Sequence, residues 1–236
     1  MKRILVTGAS GLLGLTISRM AAQESVRELL PGGYEVWGGL RKERLAAPGA
    51  IGEAFHPLYA DLTEVGQVER MLEEARPEVV IHCAAMTEVD RCEAYPADAE
   101  LLNAQVPRSL ARHTARLGIK LVQISTDAVF DGKHGEYRES DPPHPLNAYG
   151  ISKLHGEQAV AEENPDALIA RVNFYGWSWQ GRRSLAEFFY NQFSAGQVID
   201  GFDDIIFSPL LANDLALILL RMVELNLCGL YHLVSS

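Results

Sequence analysis

Short apolar segments rich in β-branched residues alternate along the chain with longer segments whose apolar residues recur at helical spacing. This pattern predicts strands near residues 4–6, 34–40, 55–59, 78–83, 119–125, 167–172 and 230–234. It predicts helices over residues 11–24, 65–75, 97–117, 148–163 and 213–224. Strands that alternate with helices in this way are typical of a parallel sheet covered by helices on both faces. The chain is therefore predicted to be an α/β protein.

A glycine-rich loop lies between the first predicted strand and the first predicted helix. It reads Thr-Gly-Ala-Ser-Gly-Leu-Leu-Gly over residues 7–14, which is a G-x-x-G-x-x-G spacing. Glycine lets the backbone approach a pyrophosphate, and a helix N-terminus supplies amide donors. A glycine triplet alone often marks only a turn, but this one stands where a Rossmann-type, doubly wound sheet binds a dinucleotide. The candidate contacts are Gly8, Ser10, Gly11, Leu12, Leu13 and Gly14.

The end of the second predicted strand indicates which dinucleotide is bound. A carboxylate there would bond the ribose 2′-hydroxyl of NAD, whereas a basic residue suits the 2′-phosphate of NADP. The strand ends with Leu40, Arg41 and Lys42, without an acid. Arg41, helped by Lys42, is therefore predicted to bind the phosphate, although a solvated loop is the alternative. The prediction is NADP(H) as the preferred cofactor, with NAD(H) second.

Tyr149 and Lys153 lie four residues apart, and hence on one face of the predicted helix 148–163. A lysine ammonium one turn from a phenol favours the phenolate, so Lys153 is predicted to lower the pKa of Tyr149. Such a phenol can give a proton to a carbonyl oxygen or take one from an alcohol. The hydroxyl of Thr126, upstream in the sequence, could hold the same oxygen. The spacing alone is common on helices, and it gains weight from the glycine loop.

Bulk properties restrict the partners. The 236 residues are 47% hydrophobic with a formal charge of -10, which suits a real core and argues against nucleic-acid binding. The three cysteines lack metal-ligand spacing and the histidines form no sequence cluster, so we assign no metal. The N-terminal apolar run is too short for a signal peptide, and no run reaches the ~20 residues of a membrane span. A cytoplasmic protein without a membrane contact is expected.

Five longer motifs resemble the extended short-chain dehydrogenase/reductase superfamily, and within it the dTDP-4-dehydrorhamnose reductase family. They are residues 84–90 followed by Asn103, residues 125–132, residues 137–141, residues 145–157 and residues 229–233. The resemblance spans essentially the whole chain. It implies NADPH-dependent reduction of a nucleotide-linked 4-keto sugar or another small carbonyl substrate. Asn103 would either brace the active-site loop or only cap local backbone.

The resemblance also implies a role for individual residues. Thr126, Tyr149 and Lys153 would be catalytic, with Tyr149 protonating the carbonyl oxygen during hydride transfer. Lys153 would in addition bond the nicotinamide ribose. Asp61 and Leu62 would border the adenine. The remaining residues predicted to line the cofactor cleft are Ala84, Ala85, Thr87 and Ser125.

The irregular segment after the strand near residue 172 is predicted to face the substrate. Residues 1–172 are assigned to a dinucleotide-binding domain and residues 173–236 to a small, incomplete substrate-binding part, interleaved with the last helix and strand. Aromatic rings could stack on a base or sugar, and arginines could pair with a diphosphate. The candidate contacts are Ala128, Asn173, Phe174, Trp177, Arg182 and Arg183. The helically spaced Phe188, Phe189 and Phe193 are predicted to be core residues.

Two departures from the family pattern affect the substrate side. The family commonly has a tyrosine where this chain has Ala128. The smaller side chain is expected to enlarge the pocket and to remove a hydroxyl near the sugar. The sequence also stops soon after residue 234, where family members usually continue through further helices. A truncated or short variant, or a chain that continues past residue 236, would explain this.

Two other functions stay open on the same scaffold. One is a nucleotide-sugar epimerase or dehydratase. Epimerases of the fucose-synthase kind add a Cys/His pair near the hydroxyl-rich run, and the Asp127-Ala128 sequence after Thr126 disfavours this. The other is a non-catalytic NADP-binding subunit that resembles the regulatory partner of methionine adenosyltransferase. Whichever function applies, the predicted helices 97–117 and 148–163 are candidates for pairing two copies of the chain in a homodimer.

Overall fold

The computed structural model describes residues 1–23, 33–41, 55–182 and 184–235. Within them, the core is a seven-stranded sheet whose neighbouring strands all pair in parallel. Its strands are β1 Lys2–Thr7, β2 Tyr34–Leu40, β3 Phe55–Tyr59, β4 Val79–His82, β5 Lys120–Thr126, β6 Leu168–Val172 and β9 Gly229–Leu233. A separate parallel pair is formed by β7 Phe174–Tyr175 and β8 Leu210–Leu211.

The strand order is β3-β2-β1-β4-β5-β6-β9. The chain winds outward from β1 in one direction through β2 and β3, and in the other direction from β4 onward. In open parallel sheets a crevice forms where the order reverses, outside the carboxyl ends of the strands. Here that crevice lies between β1 and β4.

Helices cover both faces of the sheet. They are α1 Leu12–Ala22, α2 Gln67–Ala75, α3 Val89–Ala94, α4 Pro96–Glu100, α5 Val106–Leu117, α6 Ala148–Glu163, α7 Leu185–Ser194 and α8 Ala212–Glu224. One face packs with α1 and α8 and the other with α2, α5 and α6. The predicted doubly wound α/β fold is confirmed. No helix in the described ranges combines the length and apolarity needed to cross a membrane.

The helix predicted over residues 97–117 is interrupted. It forms as α4, a π-helical turn at Leu101–Gln105 and then α5. Gly156 of α6 crosses this turn so closely that a Cβ at Gly156 would lie 2.2 Å from the Asn103 carbonyl oxygen. Single π turns inside helices often occur at functional sites. This one lies beside the helix that carries Tyr149 and Lys153.

A polar contact joins the two ends of the described chain. Lys2 Nζ lies 2.9 Å from Glu224 Oε2 at the end of α8. The Tyr34 hydroxyl at the start of β2 donates to the other oxygen of the same carboxylate. One residue of α8 therefore binds the starts of both β1 and β2.

Candidate active site

The residues predicted to hold the cofactor follow the carboxyl ends of four neighbouring strands. After β1 comes the glycine loop, after β2 Arg41, after β3 Asp61 and Leu62, and after β4 Ala84, Ala85 and Thr87. Because these strands are parallel neighbours, all these residues lie along one edge of the sheet. Arg41 is exposed at that edge. Lys42 is outside the described residues.

The glycine loop forms a backbone cradle. Gly8 has φ 66°, and a Cβ there would lie 2.7 Å from the Ala84 amide nitrogen. A Cβ at Gly14 would lie 2.4 Å from the Gly8 carbonyl oxygen. Gly11, the N-cap of α1, has no side chain to accept from the first-turn amides. These amides and the positive end of the helix suit the oxygens of a pyrophosphate, so the loop fits a dinucleotide.

Other predicted members of the loop differ in exposure. Ser10 is exposed and Leu12 is partly exposed, whereas Leu13 is buried in the core with α8. Leu13 can therefore meet a phosphate only through its backbone amide.

A buried threonine–histidine pair holds the crevice together. Thr7 Oγ1 lies 2.6 Å from His82 Nδ1 and accepts from the Ala84 amide at 3.3 Å. Burial lowers the pKa of His82 to about 3, so the ring is neutral at physiological pH. The pair fixes the end of β1 against the end of β4, where the order of strands reverses.

The three predicted catalytic residues meet where β5 ends and α6 begins. Asn147 caps α6 by accepting from the Gly150 amide at 2.8 Å, which places Tyr149 in the first turn. The Thr126 side chain lies close enough to the Tyr149 hydroxyl to lower its pKa. One turn later, buried Lys153 donates from Nζ to the Ile124 carbonyl oxygen at 2.6 Å.

The predicted effect of Lys153 on Tyr149 is wrong. Burial raises the pKa of Tyr149 to about 12, with further increases from Asp127 and Cys92, and the Thr126 hydrogen bond opposes this only in part. Burial also lowers the pKa of Lys153 to about 8, against the charge of Glu157. Desolvation outweighs the opposing effect of Thr126 in Tyr149 and the opposing charge of Glu157 in Lys153. Tyr149 is therefore a neutral phenol at physiological pH, which is the form that donates a proton.

Asp127 links the hydroxyl-rich run to the substrate side, and the sequence reasoning missed this role. The Thr126 hydroxyl donates to Asp127 Oδ1 at 3.2 Å. Asn173 Nδ2 donates to Asp127 Oδ2 at 2.8 Å. Asp127 thus joins the end of β5 to the residue that follows β6. The position of Asp127 directly after Thr126 was the sequence signal that could have indicated this role.

Asn103 lies in the π turn and braces the loop after β4. Its Oδ1 accepts from the Met86 amide at 2.8 Å, and its Nδ2 donates to the Met86 carbonyl at 2.9 Å. The same Nδ2 lies 3.0 Å from Ser152 Oγ on α6. Of the two predicted roles, these contacts support bracing. Asn103 fixes the loop after β4 against the helix of Tyr149 and Lys153.

A buried ion pair joins α6 to β6. Arg171 Nη2 lies 2.7 Å from Glu157 Oε2, and Ser125 donates its hydroxyl to the same carboxylate. The guanidinium also stands 4.9 Å from the centre of the Phe130 ring. Ser125, predicted to line the cofactor cleft, is therefore bonded within the protein. A charged residue inside the apolar strand β6 was the sequence signal for a buried partner.

A cavity of about 1000 Å³ opens beside the end of β5. Ala128, Asn173 and Phe174, all predicted substrate contacts, lie in its wall. Trp177 and Arg182 are exposed and are not among the lining residues, and Trp177 packs edge-on against Tyr190 with ring centres 5.3 Å apart. Arg183 is outside the described residues. The predicted substrate contact of Trp177 therefore stays a prediction, while Ala128 lies in the cavity wall.

The prediction that the phenylalanines of α7 are core residues is wrong for two of them. Phe188 is 46% exposed and Phe193 is 64% exposed, whereas Phe189 lies in the cavity wall. The helix starts at a capping box in which Ser184 and Glu187 bond each other's backbone amides. This start sets one face of α7 toward the cavity and leaves the other on the surface.

The glycine cradle after β1, the tyrosine and lysine beside β5 and the seven parallel strands define a protein of the short-chain dehydrogenase/reductase class. Within it the assignment is more specific. Residues 1–236 match the family described as the RmlD substrate binding domain, and the chain belongs to this family. The resemblance recognised in the sequence motifs is confirmed.

Individual relatives match different parts of the chain. A probable low-salt glycan biosynthesis reductase, Agl14, of Haloferax volcanii is 35% identical over 98% of this chain and 74% of its own length. Methionine adenosyltransferase 2 subunit beta of Bos taurus is 36% identical over 72% of this chain and 46% of its own length. The chain thus spans about three quarters of the first relative and less than half of the second.

Solved structures give the same fold. The dTDP-4-dehydrorhamnose reductase of Bacillus anthracis, determined in complex with NADP, superposes with a TM-score of 0.81 at 30% identity. The match covers 100% of this chain and 75% of that protein.

Proposed function

We propose that this protein is an NADPH-dependent reductase of a nucleotide-linked 4-keto sugar, with Tyr149 as the proton donor. The observation that carries the proposal is the placement of the Tyr149 phenol, in the first turn of α6, beside Thr126 at the edge of the sheet that also bears the glycine cradle. A reductase must protonate the oxygen of the carbonyl that it reduces, and a neutral phenol supplies that proton. The relatives named as reductases support the same reaction.

The residues divide the reaction between them. Reduced nicotinamide, when bound, supplies the hydride that converts the keto carbon to an alcohol carbon. Thr126 holds the carbonyl oxygen, and Tyr149 gives that oxygen its proton as the C=O double bond is lost. Lys153, charged below a pKa of about 8, bonds the nicotinamide ribose and stabilises the phenolate left on Tyr149. The cavity beside Ala128 receives the sugar.

On the cofactor side, Arg41 supports the preference for NADPH. It is exposed directly after β2, where a guanidinium meets a ribose 2′-phosphate in this type of fold. The complex of the Bacillus anthracis relative with NADP is in agreement. NADH remains the weaker alternative cofactor.

The test is the variant Tyr149→Phe, assayed by the loss of reduced-nicotinamide absorbance with a panel of 4-keto nucleotide sugars. We expect kcat to fall at least ~100-fold, the usual contribution of a positioned general acid, and the Kd for NADPH to stay unchanged. Tyr190→Phe is the matched control, because the Tyr190 side chain is 60% exposed and its ring packs edge-on against that of Trp177. Undiminished turnover in Tyr149→Phe would refute the role of Tyr149.

A non-catalytic NADP-binding subunit is the second candidate, favoured by the likeness to the beta subunit of methionine adenosyltransferase. In that case NADPH binds, no sugar of the panel is reduced, and the protein binds a methionine adenosyltransferase catalytic subunit in calorimetry. The epimerase alternative gains no support. Cys92 approaches Tyr149 closely enough to raise its pKa, but its side chain is completely buried and is not in the cavity wall.

A further inference from the structure

The buried pair of Glu157 and Arg171 takes no direct part in the proposed reduction of the sugar. Glu157 is 5% exposed and Arg171 is 4% exposed. A buried ion pair adds little net stability, because the cost of removing two charges from water offsets their attraction. Its effect on a neighbouring group is therefore of more interest. That neighbour is Lys153, one helical turn from Glu157 on α6.

Two consecutive residues of β5 hold the two charged residues of α6. The Ile124 carbonyl accepts from Lys153 Nζ at 2.6 Å, and the next residue, Ser125, donates its hydroxyl to Glu157. Arg171 binds the carboxylate from β6 through both Nε and Nη2. The carboxylate is thus held at a fixed place on the face of α6 that carries Lys153.

Apart from Glu157 and its partner Arg171, the titratable groups described around Lys153 are neutral at physiological pH. On β4 and just after it, burial lowers the pKa of His82 to about 3 and raises that of Cys83 to about 12. On α6 itself, burial raises the pKa of Tyr149 to about 12. Among the described residues, Glu157 is the carboxylate whose charge acts on Lys153, and it opposes the effect of burial.

We propose that Glu157 is a positioning residue that keeps the Lys153 ammonium charged and fixed against β5. Arg171 and Ser125 hold the Glu157 carboxylate in place on α6 by hydrogen bonds from two neighbouring strands. The catalytic consequence rests on the proposed function, since a neutral Lys153 would serve neither the ribose nor the Tyr149 phenolate. The effect on Lys153 itself is independent of any substrate.

The first experiment titrates Lys153 directly. The chain contains five lysines, at positions 2, 42, 120, 133 and 153, so ¹³Cε-lysine NMR gives few signals and Lys153→Arg assigns the one of interest. We expect Glu157→Gln to lower the titration midpoint of Lys153 by about one pH unit. Glu163→Gln is the matched control on the same helix, because its carboxylate pairs with Arg108 and Arg112 at the surface. That variant leaves the midpoint unchanged.

A second variant guards against loss of folding. Glu157→Gln leaves the Arg171 guanidinium buried without its carboxylate, which can be strongly destabilising. Should its thermal melt show an unfolded protein, Glu157→Gln combined with Arg171→Met removes both charges and is expected to lower the Lys153 midpoint by a smaller amount. Glu157→Asp retains the charge and is expected to restore most of the wild-type midpoint. A Lys153 midpoint that stays unchanged in every folded variant without the carboxylate overturns the proposal.

The second experiment measures the pH profile of sugar reduction. In the wild type we expect kcat to fall as the pH rises through the Lys153 midpoint, and in Glu157→Gln this fall moves to lower pH by the shift seen in NMR. A merely structural role would lower kcat at every pH without moving the profile, and that result contradicts the proposal. A shifted NMR midpoint in a protein that reduces no sugar supports the role of Glu157 and refutes the proposed reductase instead.

Discussion

At the ends of β1, β4 and β5 the polar side chains are buried and bonded to partners on other elements, whereas much of residues 175–207 carries large apolar side chains into solvent. Asn103 is 1% exposed and Lys153 4%, while Trp177 is 62% exposed and Ile206 is 95% exposed. The first region holds the glycine cradle and the predicted catalytic residues. The second contributes part of the wall of the cavity beside them.

The buried side and the exposed side of the site differ because catalysis and substrate recognition place different demands on how firmly a side chain is held. Hydride and proton transfer need groups held within a fraction of an ångström, which packing and hydrogen bonds provide at the cofactor side. Recognition of a substrate can use a surface that loops and a single helix provide. Substitutions should therefore cost more at the cofactor side than matched substitutions at the substrate side.

The largest difference is expected between Gly8→Ala and Gly181→Ala. Both glycines have a positive φ, of 66° and 65°, so the left-handed strain of about 1–2 kcal/mol is common to both. Only at Gly8 would the new Cβ meet backbone, 2.7 Å from the Ala84 nitrogen, whereas nothing lies within 4 Å at Gly181. We expect Gly8→Ala to lose several kcal/mol of stability and NADPH binding, measured by thermal unfolding and fluorescence titration. Equal losses in both variants would contradict the comparison.

A smaller difference is expected between two asparagines. Asn103→Ala removes the partners of both Met86 backbone groups and should cost about 2 kcal/mol in denaturant unfolding. Asn191→Ala removes a single bond from an exposed side chain to the Gly181 carbonyl and should cost less than about 0.5 kcal/mol. A large loss at Asn191 would show that the substrate side is held as tightly as the cofactor side.

Arg41→Ala tests the cofactor preference. We expect the Kd for NADPH to rise about tenfold and the Kd for NADH to stay the same, because a guanidinium bonds the 2′-phosphate that NADH lacks. Arg182→Ala, an exposed arginine of the substrate side, should change neither value. If Arg41→Ala weakened both cofactors equally, the preference would have another source.

The smallest effect is expected from Trp177→Ala. Since Trp177 is exposed and is not in the cavity wall, the KM for the sugar should change less than about twofold. Phe174→Ala, which alters the wall itself, should change KM more. A Trp177 variant with the larger change would mean that substrate contacts extend beyond the cavity.

The sequence predicts most accurately the elements that periodicity specifies locally. The predicted bounds 34–40, 55–59 and 148–163 coincide with β2, β3 and α6. Hydrophobic spacing repeats within each of these segments, so no distant partner is needed to define them. The same holds for the glycine cradle, whose position between strand and helix is visible in the sequence.

Features that depend on distant partners were not predicted. The π turn at Asn103 forms where Gly156 crosses it, and the short pair β7 and β8 joins segments more than thirty residues apart. The pKa of Tyr149 depends on burial, which the helical spacing to Lys153 does not reveal. The exposed face of α7 likewise shows that helical spacing of phenylalanines does not specify which of them meet the core.

The contact of Glu224 with Lys2 and Tyr34 also constrains how the protein folds. In the chain, Glu224 is 222 positions away from Lys2 and 190 positions away from Tyr34. Helix α8 covers the same face of the sheet as α1. Contacts this distant in sequence slow folding, because a long loop must close before they form. During synthesis α1 cannot pack against α8 until residues 212–224 have left the ribosome. The glycine cradle, which opens α1, therefore gains its full support only after α8 has formed.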